Sequence, residues 1–283
     1  MYKMTELVVN DTVNIMNKKQ MLGLSRKERE LLSLFTANER ITVSSNDVIE
    51  IRNCSRESAN QILRRLSQKG WLQRVKRGVY TIVPLSALSL TSANEESWTL
   101  ASKLFEPAYI SGWSAAEHWD LTEQIFNSIS LVSQNQQRKS IQTINGVKFR
   151  ILVKKPELFF GTKAIWFESN RVELADPSRL IIDILDKPDF GGGGRHTIDI
   201  VRSYWNSDMC DPQLVLEYAV KYGKGAVMKR LGFLAEQFNA PVSRAWLTKC
   251  KSHLSKGISD LDPMAPSKGR ISTVWNLRIN LPL

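Results

Sequence analysis

Ser55 to Val83 reads SRESANQILRRLSQKGWLQRVKRGVYTIV, a helical period followed by an alternating one. Ser55 is placed to cap a helix running from Arg56 to Lys69, and Gly70 to stop it. Ala59, Ile62, Leu63 and Leu66 fall on one stripe and predict its buried side. The other side carries Arg56, Glu57, Asn60, Gln61, Arg64, Arg65 and Gln68. Asn, Gln and Arg match adenine and guanine edges with paired hydrogen bonds, so this side suits a major groove. After Gly70, Trp71–Lys76 and Gly78–Val83 alternate across a turn at Lys76-Arg77-Gly78, which predicts a β-hairpin with a basic tip.

Two more helix starts lie upstream. Ser25 and Glu28 form a capping-box pattern ahead of Leu31, Leu32, Leu34 and Phe35, and that helix ends near Asn38. Ser44-Ser45-Asn46-Asp47 leads into a short helix that buries Val48 and Ile51 and breaks at Arg52-Asn53-Cys54. Three short helices and a basic hairpin predict a winged helix-turn-helix over residues 1–84. Its DNA-binding residues are Ser55, Arg56, Ser58, Asn60, Gln61, Arg64 and Arg65 on the third helix. Arg74, Lys76 and Arg77 on the wing reach phosphates or the adjacent minor groove. The same module used as a protein–protein adaptor, with its charges merely solvated, is the alternative. The base-reading side chains favour DNA.

The chain of 283 residues carries 39 basic and 28 acidic side chains, a net charge of +11 that points to polyanionic partners. The excess is uneven: +6 over residues 25–83, −4 over 84–220 and +8 over 221–283. This asymmetry predicts two separate anion-facing surfaces, the second at Lys221, Lys224, Lys229 and Arg230. Three scattered cysteines fit neither a disulfide framework nor a zinc cage. The first residues lack the apolar core of a signal peptide, and no apolar run approaches a membrane span. A cytoplasmic protein is expected.

Residues 85–283 read as a second, mixed domain, so the fold class is α+β. Residues 86–96 resemble a linker running into a helix with Trp98, Leu100, Ala101, Leu104 and Phe105. A helix near Ser114 follows, then apolar runs at Ile129–Val132, Val147–Val153 and Ala164–Glu168 with strand character. Asp176-Pro177 opens a helix through Leu180, Ile181, Ile184 and Leu185. Pro212–Asn239 reads as two helices broken at Tyr222–Gly225; the second has Val227, Leu231, Leu234 and Phe238 inside and Lys224, Lys229 and Arg230 outside. Thr273–Asn280 is the expected last strand.

No constellation in the sequence calls for catalysis, a cofactor or a metal. Gly191–Gly194 lacks the Lys-Ser/Thr of a phosphate-binding loop and reads as a flexible connector between helices. Gly112-Trp-Ser-Ala-Ala116 has alanine where a nucleophile elbow needs glycine. Cys250-x-x-His253 is half a ligand set, and Glu117-His118-x-Asp120 reads as a helix-surface cluster.

Several segments in order resemble the AbiEi-type antitoxins of the AbiE abortive-infection toxin–antitoxin systems. They are Arg77-Gly-Val-Tyr-Thr-Ile-Val-Pro84, Tyr109-Ile-Ser-Gly-Trp-Ser-Ala-Ala-Glu-His118, and Asp176–Pro188 with Gly191-Gly192. Leu216-Glu-Tyr and Lys229-Arg-Leu-Gly-Phe-Leu-Ala235 complete the set. The resemblance implies an N-terminal winged helix that represses its own operon at promoter inverted repeats. It further implies a C-terminal domain that counteracts a nucleotidyltransferase-like toxin, functionally and without a stable complex. A monomer or weak dimer in solution would pair on duplex DNA, with no membrane partner. Two other readings remain: a ligand-sensing repressor, and a nucleic-acid-processing enzyme in which Asp183, Asp186 and Asp189 would be the carboxylates.

Overall fold

The computed structural model describes residues 23–38, 40–83, 90–167 and 169–283, and the chain divides into two units, Met1–Val83 and Pro84–Leu283. Among the described residues of the first unit every helix begins at a serine. Ser25 caps α1 (Arg26–Ala37) with Glu28 completing the reciprocal box, and Ser44 with Asp47 does the same for α2 (Ser45–Arg52). Ser55 accepts from the Ser58 amide at 3.2 Å to start α3 (Arg56–Gln68). Asn53 takes the left-handed conformation, φ 46°, that ends α2.

A strand that sequence reading does not find, β1 (Thr42–Ser44), precedes α2. It pairs with β3 (Val79–Ile82), which pairs antiparallel with β2 (Leu72–Lys76), giving the order β1-β3-β2. Leu31, Phe35, Val43, Val48, Ala59, Leu63, Leu66, Leu72 and Tyr80 form the core. Each of the larger aliphatic or aromatic chains among them contributes about 1.5–3 kcal/mol by leaving water. Ile51 and Ile62 are half-buried at its edge, while Leu34, expected inside, is 45% exposed.

The second unit is built on a six-stranded mixed sheet. Its strands are β4 (Ala108–Ile110), β5 (Ser128–Ser133), β6 (Ile141–Ile144), β7 (Val147–Val153), β8 (Thr162–Phe167) and β9 (Asn170–Ala175). Their order is β6-β7-β5-β4-β9-β8; β5–β7 and β4–β9 are parallel, the other neighbours antiparallel. The helices are α4 (Leu90–Phe105), α5 (Gly112–His118), α6 (Pro177–Asp186), α7 (Gly194–Trp205), α8 (Pro212–Tyr222), α9 (Gly225–Gln237) and α10 (Arg244–Ser252). The supposed linker 86–96 overlaps the start of α4, its first residues lying outside the described ones, and α5 begins at Gly112 rather than near Ser114. The expected last strand is a strand, turn and strand: β10 (Ser259–Asp260), β11 (Arg270–Ser272) and β12 (Leu277–Ile279) form a small sheet, and residues 273–276 turn. No helix among the described residues is long and apolar enough to cross a membrane.

Helix α6 is buried from Pro177 to Leu185, charged residues included. Arg179 and Asp183, one turn apart, pair at 3.0 Å with no exposure on either side chain. Asp183 also accepts from the Tyr109 hydroxyl at 3.0 Å and the Ser111 hydroxyl at 2.8 Å. The Arg179 guanidinium lies 4.4 Å from the centre of the Phe160 ring. One turn on, Asp186 takes Lys154, Lys224 and the Tyr222 hydroxyl. Burial alone would raise the Asp186 carboxyl, but Lys154 and the other donors outweigh it and hold it at about 2.

The tetraglycine is a packed corner and not a flexible connector. Gly192 and Gly193 have φ of 94° and 104°, which side chains rarely adopt. A Cβ on Gly191 would lie 2.6 Å from Thr197 Oγ1, and one on Gly194 would lie 2.4 Å from Asp262 Oδ2. Gly232, inside α9, is a second steric glycine: a Cβ there would stand 2.1 Å from Cζ3 of Trp275, itself 1% exposed. Gly232→Ala improves helix propensity by about 1 kcal/mol, yet the overpacking costs about 1–3 kcal/mol. The expected outcome is a net loss, read as a lower urea midpoint for the full chain.

Candidate nucleic-acid interface

Four arginines meet in a groove of about 620 Å³ between α3 and the β2–β3 hairpin. Arg56 and Arg64 come from α3, Arg74 and Arg77 from the hairpin, and no acidic side chain among the described residues lines the space. Asn60 and Gln68 lie on the same wall, so Arg56, Asn60, Arg64 and Gln68 make one stripe at intervals of four residues. Ser45, Ser67 and Tyr80 close the remaining sides. Sequence reading missed these three as site residues and counted Gln68 only as part of the exposed side. The four-residue spacing from Arg56 was the available signal for Gln68.

The ten expected DNA contacts separate into groups. Asn60 and Arg64 are exposed and have no hydrogen-bond or ion-pair partner among the described residues. Arg56 donates to Asn46 Oδ1 at 2.9 Å, which steadies it at the groove entrance. Arg74 and Arg77 are exposed on the hairpin, where a register shift between Arg74 and Lys76 bulges the strand. The Lys76 side chain lies outside the described residues. Ser55 and Ser58 are joined to each other at 3.0 Å as the helix cap, and neither they nor Gln61 line the groove.

Arg65 also lies off the groove. Its Nε donates to Glu28 Oε1 at 2.8 Å, and Lys69 Nζ donates to Glu28 Oε2 at 2.7 Å. Burial works to raise the Glu28 carboxyl, but Lys69, the Ser25 amide and hydroxyl, and Arg65 bring it down to about 2. Glu28 is therefore ionised throughout the neutral range.

Two of the four residues expected on the second basic surface do not reach it. Lys229 and Arg230 point inward, 1% and 4% exposed. Lys229 Nζ donates to the Gly257 carbonyl and to Ser259 Oγ, and Arg230 donates to the carbonyls of Leu185 and Asp260 at 2.6–3.0 Å. Amphipathic spacing assigns charge to solvent, but α9 is covered on that side too, by the segment from Gly257 to Asp260. Long apolar stems cross the packed layer and the charged ends find carbonyls. Burial pushes both groups down from their ordinary values. Lys224 is held by Asp186, and Lys221 sits 4.2 Å from the centre of the Phe160 ring. Both stay exposed, as do Arg244, Lys249, Lys251, Lys256, Lys268 and Arg270 further along.

The carboxylates of the enzyme reading go to separate cations: Asp183 to Arg179, Asp186 to Lys154 and Lys224, Asp189 to Arg150 at 3.2 Å. His118 packs against the Trp98 and Trp119 rings. No group of three His, Cys, Asp or Glu among the described residues is arranged to hold a metal.

Residues 30–83, from within α1 to the end of the hairpin, match the family described as transcriptional regulator, AbiEi antitoxin. Over those residues the N-terminal unit is similar to AbiEi antitoxin regulators. The matched stretch contains the whole arginine-lined groove, while Glu28 falls just outside it. Among solved structures, the crystal structure of the RV2827C protein from Mycobacterium tuberculosis is similar, with a TM-score of 0.59 at 14% identity over 92% of this chain and 94% of that one. At that identity the likeness carries the fold alone. No curated protein sequence matches the chain. The likeness to antitoxin transcriptional regulators is therefore carried by residues 30–83, the stretch that holds the groove.

Proposed function

We propose that the N-terminal unit is a winged helix that represses its own operon by binding inverted repeats in the promoter. Helix α3 enters the major groove of each half-site, and Asn60 and Arg64 face the base edges. Arg74, Lys76 and Arg77 on the wing, with Arg56 at the helix start, contact phosphates or the neighbouring minor groove. The observation that carries this reading is the acid-free groove, where four arginines converge from two elements beside Asn60 and Gln68. Two molecules bind per repeat, paired by the DNA. Residues 85–283 form the antitoxin domain and counteract a nucleotidyltransferase-like toxin without a stable complex. The cations from Arg244 to Arg270 take the place expected of the α9 surface and face flanking phosphates or an acidic partner.

Titration of the full chain with a duplex from immediately upstream of its own reading frame tests this. The expected result is two molecules per site, affinity falling steeply with salt, and a clear preference over a shuffled duplex of equal length. Equal affinity for both duplexes rejects the operator reading.

A further inference from the structure

We propose that Glu28 is a positioning residue that aims the Arg65 guanidinium at a DNA phosphate outside the groove. This rests on the DNA-binding reading above. Glu28 is on α1 and Arg65 on α3, 37 residues apart, yet the carboxylate is buried between them with 4% side-chain exposure while Arg65 is 56% exposed. The contact uses Nε alone, at 2.8 Å. Both terminal nitrogens of Arg65 are left without a partner among the described residues. An arginine gripped at Nε presents its terminal pair as a fixed fork, the geometry that takes a phosphate through two hydrogen bonds. The grip itself is rigid. Glu28 Oε2 receives Lys69 at 2.7 Å and the Ser25 amide at 2.8 Å, so the carboxylate cannot turn away. Arg65 is one position after Arg64, so it leaves the helix about 100° around from the groove stripe. Backbone phosphates flank a groove-bound helix on that side, and base edges do not. Arg65 thus supplies affinity without sequence preference, while Asn60 and Arg64 supply the preference.

The test is the slope of log affinity against log salt for the full chain on the upstream duplex, measured below each variant's melting temperature. One lost phosphate contact lowers the magnitude of that slope by about 1. Arg65→Ala and Glu28→Ala are each expected to lose that amount, and the double variant no more than either. Lys69→Ala removes the other cation from the same carboxylate but leaves the Ser25 amide to hold it, so it is expected to keep the wild-type slope, which separates aiming from mere support of the fold. Arg65→Lys keeps the charge but has no fork left once Glu28 holds it, so its slope drops as well. That variant also carries the test if Glu28→Ala does not fold. A wild-type slope in Glu28→Ala or Arg65→Lys, or an equal loss in Lys69→Ala, overturns the proposal. A wild-type chain that binds no duplex overturns the DNA-binding reading and this proposal together, whereas normal binding with unmoved slopes overturns this proposal alone.

Discussion

Asp183→Ala is expected to destabilise the second unit by about 3–5 kcal/mol. The carboxylate has no exposure and is the only acid paired with Arg179 among the described residues. Its removal leaves a guanidinium in the middle of α6 with nowhere to reach water, surrounded by the Phe160, Tyr109 and Tyr222 rings. The rings offer attraction to a cation, worth about 2 kcal/mol when desolvated, and this falls short of a lost ion pair. Tyr109 and Ser111 lose an acceptor at the same time. Replacing both members, as in Arg179→Met with Asp183→Leu, removes the stranded charge, so the double variant should recover much of what the single one loses. Because the chain has two units, urea unfolding followed by a single probe need not be one transition, and the relevant midpoint is that of the α6-containing unit. A loss below about 1 kcal/mol for Asp183→Ala would show that the ring cage alone suffices for Arg179.

What sequence could and could not deliver follows from which interactions are local. Ser25 with Glu28, Ser44 with Asp47 and Asp176 with Arg179 are contacts within one helical turn, and all three starts were legible. The hairpin was legible because its strands are adjacent in the chain. β1 and β4 are three residues long and pair with remote partners, as Ile110 does with Leu174, and they carry no local period to find. Lys229 and Arg230 show the other failure. Their spacing matched an outward stripe, and only the returning segment at Gly257–Asp260 makes that side an interior. The candidate site divides in the same way. The stripe from Arg56 to Gln68 was present as four-residue spacing, whereas the diversion of Arg65 to Glu28 needed the fold to bring α1 and α3 together.

That division determines which α3 variants test base reading. The pair Arg64 and Arg65 is a poor choice, because Arg65→Ala strips Glu28 of a partner and mixes stability with affinity. Asn60→Ala with Arg64→Ala is the informative pair. Both side chains are exposed, neither has a partner among the described residues, and the core stripe at Ala59, Leu63 and Leu66 is untouched. Each well-formed base contact is worth about 1–3 kcal/mol, so the double variant should lose roughly 10²- to 10⁴-fold in affinity for the upstream duplex. Affinity for the shuffled duplex should fall far less, since one arginine among several cations is all that is lost there. Arg77→Ala makes the opposite expectation: a similar loss on both duplexes and a salt slope smaller by about 1. If the double variant instead weakens both duplexes equally, the α3 stripe is an electrostatic surface, and sequence is read somewhere other than at Asn60 and Arg64.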